Sequence, residues 1–254
     1  MSEHVTIEDN DRIRVIRMNR PERKNALTIA MYTRMADALR EADADPNIRC
    51  TVLAGTDDTF TAGNDLGDFV SNPPTDETSP VFQFLLALID AKKPVVCAVE
   101  GLAIGIGTTL LLHCDLSYAG AGARFKLPFV DLGAVPEAGS SLLLPSIMGT
   151  ARAAELLMLC PFFDAARAES LGLLTRAVPA GEAFPTAMDA ARTLATKAPA
   201  ALQRTRALLH QHDPKLRERL ALEARWFADC LKGPEFQEAV TAFNERRPAD
   251  FSRF

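Results

Sequence analysis

No stretch of this chain approaches the roughly 20 consecutive apolar residues that a membrane-spanning helix needs. The longest uncharged apolar segment, Gly101 to Leu112, has 12 residues. The beginning, MSEHVTIEDNDRIRV, is polar and acidic and lacks the apolar core of a secretory signal. There is no CxxC pair. The five cysteines, Cys50, Cys97, Cys114, Cys160 and Cys230, are scattered and most sit in apolar runs, as expected of small buried side chains in a reducing compartment. Basic charge is not in excess: 28 Lys and Arg face 33 Asp and Glu, for a net charge of -5, which argues against a non-specific nucleic-acid binder. Repeats of fixed period are absent, and the glycines after the central strand are spaced GxxxGxG, not as the GxGxxG dinucleotide fingerprint. Ser140 and Ser141 have no GxSxG elbow around them. These absences predict a cytoplasmic protein without nucleic-acid or membrane partners.

What is present is enough apolar material for a sizeable core. At 254 residues and 48% hydrophobic composition, the chain makes one large domain, or one domain with a helical appendage. Ile13 to Met18 reads as a β-branched strand stopped by Asn19-Arg20-Pro21. Thr28 caps a helix whose apolar residues Ile29, Met31, Met35, Ala38 and Leu39 share one face, and Asp45-Pro46 ends it. A strand from Ile48 to Ala54 completes a strand-helix-strand crossover. Further on come a buried strand from Pro94 to Val99, a Gly101-x-x-x-Gly105-x-Gly107 turn, an apolar helix from about Ile106 to His113 and a strand from Asp115 to Tyr118. After Gly149 the chain reads as helices, the last three at Pro199 to His210, Pro214 to Leu231 and Pro234 to Phe243, with apolar stripes suited to core or subunit contacts.

Two turns can aim backbone N-H groups at one spot. In Phe60-Thr61-Ala62-Gly63-Asn64-Asp65-Leu66, small residues precede a helix start at which Asp65 stabilises the first turn; the glycine-rich turn before Ile106 opens a second helix. Each is either a plain capped turn or one half of an oxyanion hole, which requires two such donors. The loop Arg20 to Leu27, RPERKNAL, holds three basic residues and is either a solvated turn or a phosphate contact. Glu137, between Val135-Pro136 and Ala138-Gly139 and ahead of an apolar helix from Leu142 to Met148, is an isolated carboxylate in weakly polar surroundings. It either satisfies free N-H groups at a helix start or, with a raised pKa, shuttles a proton. Asp131 reads as a turn or cap residue and Asp115 as structural. His113 follows an apolar helix, and His210 and His212 lie two apart near Asp213, weak metal spacing better read as a solvated helix end. No metal site is expected.

FTAGNDL followed by KPVVCAVEGLAIGIGTTLLLHCDLSYA, with RPERKNAL upstream, resembles the crotonase superfamily, the enoyl-CoA hydratases and isomerases. The resemblance covers nearly the whole chain. It implies an α/β fold, a spiral of ββα repeats over residues 1–195 with a carboxy-terminal helical oligomerisation region at 196–254, assembly as a homotrimer or hexamer, and an acyl-CoA thioester as substrate. Coenzyme A then enters as part of the substrate, and no separate cofactor is implied. Carried over by position, the N-H groups of Asn64 and Ile106 hold the thioester oxygen. Lys24, Ala26, Thr61, Ala62, Gly63, Asp65, Leu66 and Gly105 are the substrate contacts. Arg246 and Arg247 approach a coenzyme A phosphate, and the polar segment Ser71 to Glu77 borders the acyl site.

Two departures from the family pattern bear on the chemistry. Typical hydratases carry glutamates at the positions that are Thr109 and Phe129 here. Neither residue transfers a proton as a carboxylate does. LG-x-x-PE-x-x-SS around Glu137, GNDL in the first loop and the non-Gly turn GIG are instead similar to the peroxisomal-type Δ3,Δ2-enoyl-CoA isomerases, whose base lies on this segment. The resemblance thus implies a one-base isomerase with Glu137 as the catalytic acid-base. Hydration or another crotonase chemistry, and acyl-CoA binding without catalysis, are the alternatives.

Overall fold

The computed structural model describes every residue except 1–2, 57, 75–77 and 211–213. The end of the polar segment at 71–77, together with His212 and Asp213, lies outside the described residues. Val5–Asn10 (β1) and Ile13–Met18 (β2) form an antiparallel hairpin closed by Asp11 and Arg12, both at positive φ (52° and 66°), the turn geometry that matches strand twist. β1 is not expected from sequence. Its outer half is exposed and polar, as an edge strand is, so no alternation marks it. Ile29–Ala44 (α1) then crosses over to Cys50–Ala54 (β3), parallel to β2, as expected; the Thr28 hydroxyl caps α1 by accepting from Met31 N at 3.3 Å.

From β3 onward one step repeats. Each step lays one strand in a six-stranded sheet and a short one in a second sheet, then a helix. Thr59–Thr61 (β4) leads to Leu66–Ser71 (α2) and Pro80–Ile89 (α3). Val95–Val99 (β5) and Leu102–Ile104 (β6) lead to Ile106–Thr109 (α4), and Leu116–Gly120 (β7) and Arg124–Lys126 (β8) lead to Ser140–Met148 (α5). Thr150–Met158 (α6), Phe163–Asp164 (β9), Ala165–Ser170 (α7), Arg176–Val178 (β10) and the helices Ala183–Ala195 (α8), Pro199–Leu209 (α9), Pro214–Leu231 (α10) and Pro234–Glu245 (α11) complete the chain. The sheets are ordered β1-β2-β3-β5-β7-β10 and β4-β6-β8-β9. This is the α/β spiral of ββα steps with helices at the carboxy end.

Burial follows the two-residue period of the strands. Val96 and Ala98 of β5, with Ile13, Val15 and Val52, pack under Ala183, Ala187 and Ala191 of α8. Cys97 and Val99 face the other way, with Ile16 and Leu53, into a larger core shared with Met31, Met35 and Leu39 of α1 and Phe84 and Leu88 of α3. Cys50, Cys97, Cys114 and Cys160 are buried and all five cysteines are free thiols. No helix among the described residues is long and apolar enough to cross a membrane.

The expected helix from Ile106 to His113 is shorter than its apolar run. α4 ends at Thr109 and Leu110–His113 tightens into a 3-10 turn, because Thr108 and Thr109 turn their hydroxyls away to other parts of the chain. The strand expected from Asp115 begins one residue later. Asp115 spends its carboxylate on Val95 N, Arg206 and His210, at 2.7 to 2.8 Å. That is the structural role read from sequence, and it removes His210 from the solvated helix end expected for it.

Candidate active site

Adjacent strands of the small sheet deliver the two turns side by side. β4 and β6 are parallel with Thr61 opposite Ala103, so Asn64 and Ile106 each lie three residues past that pair. Gly63 passes so close to the neighbouring loop that a Cβ there would lie 3.0 Å from Ile104 O. Leu27 bridges to Asn64 through Leu27 N to Gly63 O (2.8 Å) and Asp65 N to Leu27 O (2.9 Å). That pattern leaves the N-H of Asn64 over, directed away from Leu27. Ile106 is the first residue of α4, where no carbonyl of the helix itself can take its N-H. Before it, Gly105 adopts φ 57° and ψ -117°, a conformation open to glycine, and a Cβ there would meet nothing within 4 Å.

Glu137 reaches the same place from the next segment. Its Oε1 accepts from Thr109 Oγ1 at 2.5 Å, so the hydroxyl one turn beyond Ile106 fixes the carboxylate beside α4. Burial pushes the Glu137 carboxyl up to about 8, against the hydrogen bond from Thr109 and with help from the negative charge of Glu223. Phe129, at the other position named above, is buried in the apolar core.

The loop carrying Glu137 is held on both sides. Ala138 and Gly139 are consecutive left-handed residues (φ 58° and 71°). Buried His113 donates through Nε2 to Ala138 O at 2.8 Å, and burial lowers its pKa to about 4, so the ring is neutral. On the far side Glu223 of α10 accepts from Gly139 N (2.6 Å), Ser141 N (3.0 Å) and Ser141 Oγ (2.5 Å). Glu223 and His113 are functional neighbours that the sequence reading missed. Glu223 interrupts the apolar stripe of α10 between Leu220 and Phe227, and a charge on the buried face of a helix was the available signal.

Tyr32, also missed, joins this centre to a cavity. Its hydroxyl donates to Asn64 Oδ1 at 2.5 Å, and its ring lies 5.7 Å from that of Phe84. Burial first, and the charge of Glu137 second, hold its pKa well above the usual phenol value. The same residue lines a cavity of about 240 Å³ among α1, α2 and α3, walled chiefly by Leu27, Ile29, Phe69, Pro73, Pro80 and Val81. Asn72 to Pro74, the described part of the polar segment, also border it.

The expected substrate contacts divide into two groups. Lys24 is exposed on the Arg20–Leu27 loop, with Ala26 half-buried beside it and Ala62 N bonded to Lys24 O at 2.9 Å. Gly63, Leu66 and Gly105 border the two N-H turns. Thr61 is fully buried and its hydroxyl closes the loop, donating to Asn25 O at 2.7 Å and accepting from Gly63 N at 3.0 Å; it has only backbone to offer a ligand. Asp65 caps α2, accepting from Asp68 N at 3.1 Å, and pairs with Arg20 at 2.7 Å. Burial pushes its carboxyl up, but Arg20 and the helix N-H groups outweigh that and hold it below the usual range. Arg20 is therefore spent within the chain, and only Arg23 and Lys24 of the basic loop face solvent. Arg247 is likewise paired with Glu238 (2.6 Å) and Glu245 (2.6 Å), so its charge is already taken.

The competing acids and hydroxyls do not join the centre. Asp131 is exposed and paired with Lys126 at 2.8 Å. Ser141 is committed to Glu223, and among the described residues the buried Ser140 Oγ has no hydrogen-bond partner, imidazole included. The arrangement is therefore the Glu137 carboxylate, its pKa raised, near two main-chain donors, with an apolar cavity alongside. Such a site stabilises a developing oxyanion and moves one proton.

Residues 8–253 match a family model described as enoyl-CoA hydratase/isomerase. A probable enoyl-CoA hydratase of Rhizobium meliloti is 33% identical over 98% of both chains. The peroxisomal enoyl-CoA delta isomerase 3 of Mus musculus is 31% identical over 97% of this chain and 80% of its own. Among solved structures, Pseudomonas aeruginosa OdaA superposes with a TM-score of 0.93 at 46% identity, covering 95% of this chain and 99% of that one.

Proposed function

Because this chain belongs to the enoyl-CoA hydratase/isomerase family, we propose that it is an enoyl-CoA isomerase, shifting the double bond of an acyl-CoA thioester from the 3 to the 2 position with Glu137 as the sole proton carrier. The observation that supports this reading above all is the Thr109–Glu137 hydrogen bond. A hydroxyl stands where a hydratase needs a second carboxylate, and it serves the one carboxylate present. Glu137 takes a proton from C2 of the 3-enoyl thioester. The C-H electrons form the C1–C2 double bond of a dienolate, in which C3–C4 stays double, and the carbonyl pair moves onto the thioester oxygen, where the N-H groups of Asn64 and Ile106 meet it, each contributing about 3 kcal/mol to the barrier reduction; on protonation at C4 the C1–C2 pair becomes the C2–C3 double bond. The protonated Glu137 then delivers the same proton to C4, and the carbonyl re-forms on the conjugated 2-enoyl product. No atom is gained or lost, and the chemistry requires no metal or redox group.

In this proposal the cavity beside Tyr32 receives the acyl chain, and the exposed Arg23 and Lys24 meet the coenzyme A phosphates. Self-association as a trimer or hexamer is part of the proposal too. Leu208, Leu209, Trp226 and Phe243 of the carboxy-terminal helices are each exposed in the single chain, as large apolar side chains at an interface would be. The test is a panel of 3-enoyl-CoA esters in deuterated water. Conjugated product that is lost on Glu137→Gln, with binding retained, supports the reading, and unimpaired turnover by that variant overturns it. Water addition is the second reading, favoured by the hydratase description of some relatives; hydration of crotonyl-CoA at a rate above isomerisation would establish it.

A further inference from the structure

We propose that Glu223, on α10 in the carboxy-terminal helices, is the positioning residue for Glu137: it clamps the loop behind the base and sets a second carboxylate behind it. The inference deepens the isomerase reading and rests on it for the role of Glu137.

The geometry is that of a cap supplied from another helix. α5 has Gly139 at its N-cap and no side chain of its own there to accept the free N-H groups. Glu223 fills that place. Its Oε2 accepts from Gly139 N and its Oε1 from both Ser141 N and Ser141 Oγ. α10 approaches closely at this point: a Cβ on Gly139 would lie 2.5 Å from Leu216 Cδ1 and 3.8 Å from Leu220 Cδ2, so a side chain there would have to displace the end of Leu216. Left-handed backbone at Ala138 costs on the order of 1 kcal/mol for a residue with a Cβ. His113 at Ala138 O and Glu223 at Gly139 N hold the peptide that follows it, one at the oxygen and one at the nitrogen. Glu137 is the residue immediately before this clamp.

Charge divides unequally between the two acids. All the contacts of Glu223 are donors, and Arg219 on the same helix donates to Ser141 Oγ at 3.1 Å, so the ionised form of Glu223 is the one the site fits. Burial holds the Glu223 pKa above the usual carboxylate value, and these donors offset only part of the rise. Glu137 has the single Thr109 donor, the neutral Tyr32 and the neutral His113 around it, and the charge of Glu223 behind it. Environments that separate the pKa values of two neighbouring carboxyls assign one to hold charge and the other to exchange protons.

The test reads the Glu137 titration without using turnover. Because Glu137 titrates higher folded than unfolded, its carboxyl stabilises the fold below about 4.5 and loses that advantage as pH rises to about 8. Glu137→Gln therefore raises the unfolding midpoint increasingly over that window, and the pH at which the gain levels off reports the folded pKa. In a Glu223→Gln background the levelling pH should fall by about one unit and kcat by about tenfold, with KM within about twofold of the parent. Glu223→Asp, which keeps the charge and shortens the reach, should restore the levelling pH but not kcat. An unchanged levelling pH in Glu223→Gln, or Asp behaving as Gln does, overturns the proposal. Should Glu223→Gln fail to fold, Ser141→Ala removes one donor to Glu223 and decides in its place: a lowered levelling pH supports the proposal, and an unchanged one overturns it. If no 3-enoyl thioester is isomerised yet the levelling pH shifts, the isomerase reading fails and the hold of Glu223 on Glu137 stands.

Discussion

Thr109 Oγ1 lies 2.5 Å from Glu137 Oε1, which joins a residue of the first helical turn after the Gly105 bend to the one carboxylate of the centre. The hydroxyl is buried and donates to the oxygen, so it stabilises the ionised form and offsets part of the burial effect.

Removing that donor therefore has a predictable sign. Thr109→Val keeps the shape and deletes the hydrogen bond, leaving Glu137 with burial and the charge of Glu223. Its pKa should rise above about 8. Isomerisation at pH 7 should fall about tenfold, with part of the loss recovered at pH 9. A pH profile of kcat/KM for the variant and parent checks this, and a variant profile displaced to lower pH would contradict it.

The parent profile itself is constrained. A base that titrates near 8 is only about one-tenth ionised at pH 7, so kcat/KM should climb close to tenfold per pH unit from 5 to 7 and level above 8. Glu137→Gln should lose at least about a thousandfold of this rate with its affinity for the thioester intact, as expected when a positioned proton carrier is removed. Activity that falls as pH rises through 7 would place the working proton elsewhere.

The parts of this centre legible in the sequence were those written in local chemistry. Thr28 and Asp65 are caps at the positions their side chains suggest, and Glu137 stands out because it is isolated among Val, Pro, Ala and Gly. Strands β4, β6 and β8, three residues each, were not legible, since so short a run carries no periodicity. Yet it is the β4–β6 register that places Asn64 and Ile106 at equal offsets. Tyr32 and Glu223 do not stand out beside the apolar stripes of α1 and α10, because a helical pattern says which face is buried and not what the odd polar atom on that face touches. In the sequence His113 looks like the other histidines for the same reason. Its partner is a backbone carbonyl 25 residues away.

Tyr32 gives the sharpest test of a residue found only in the fold. Tyr32→Phe leaves the ring against Phe84 and removes the hydroxyl that fixes Asn64 Oδ1. Stability should drop by about 1 kcal/mol, the net worth of one internal hydrogen bond. The freed Asn64 side chain loosens the turn that carries its N-H, so kcat should fall more than KM changes, by roughly tenfold. Equal losses in binding of substrate and in turnover would instead make Tyr32 a wall of the cavity alone.

His113 is expected to limit the stability of the fold toward acid. Its ring is buried and donates to Ala138 O, and its pKa of about 4 lies below the unfolded value of about 6.5. The unfolded chain therefore binds a proton first as pH falls. The stability tied to neutral His113 is complete above about 6.5 and is lost at up to about 1.4 kcal/mol per pH unit down to about 4. His113→Gln retains an N-H donor for Ala138 O without a titrating ring. Its thermal midpoint should lie below that of the parent at pH 7, where packing of the imidazole is lost, and approach or pass it at pH 4.5. Parallel midpoint curves for the two proteins across pH 4 to 7 would show that His113 is not the group that titrates, and would leave the acid sensitivity to the buried carboxylates such as Asp115, whose partners hold its pKa down against burial.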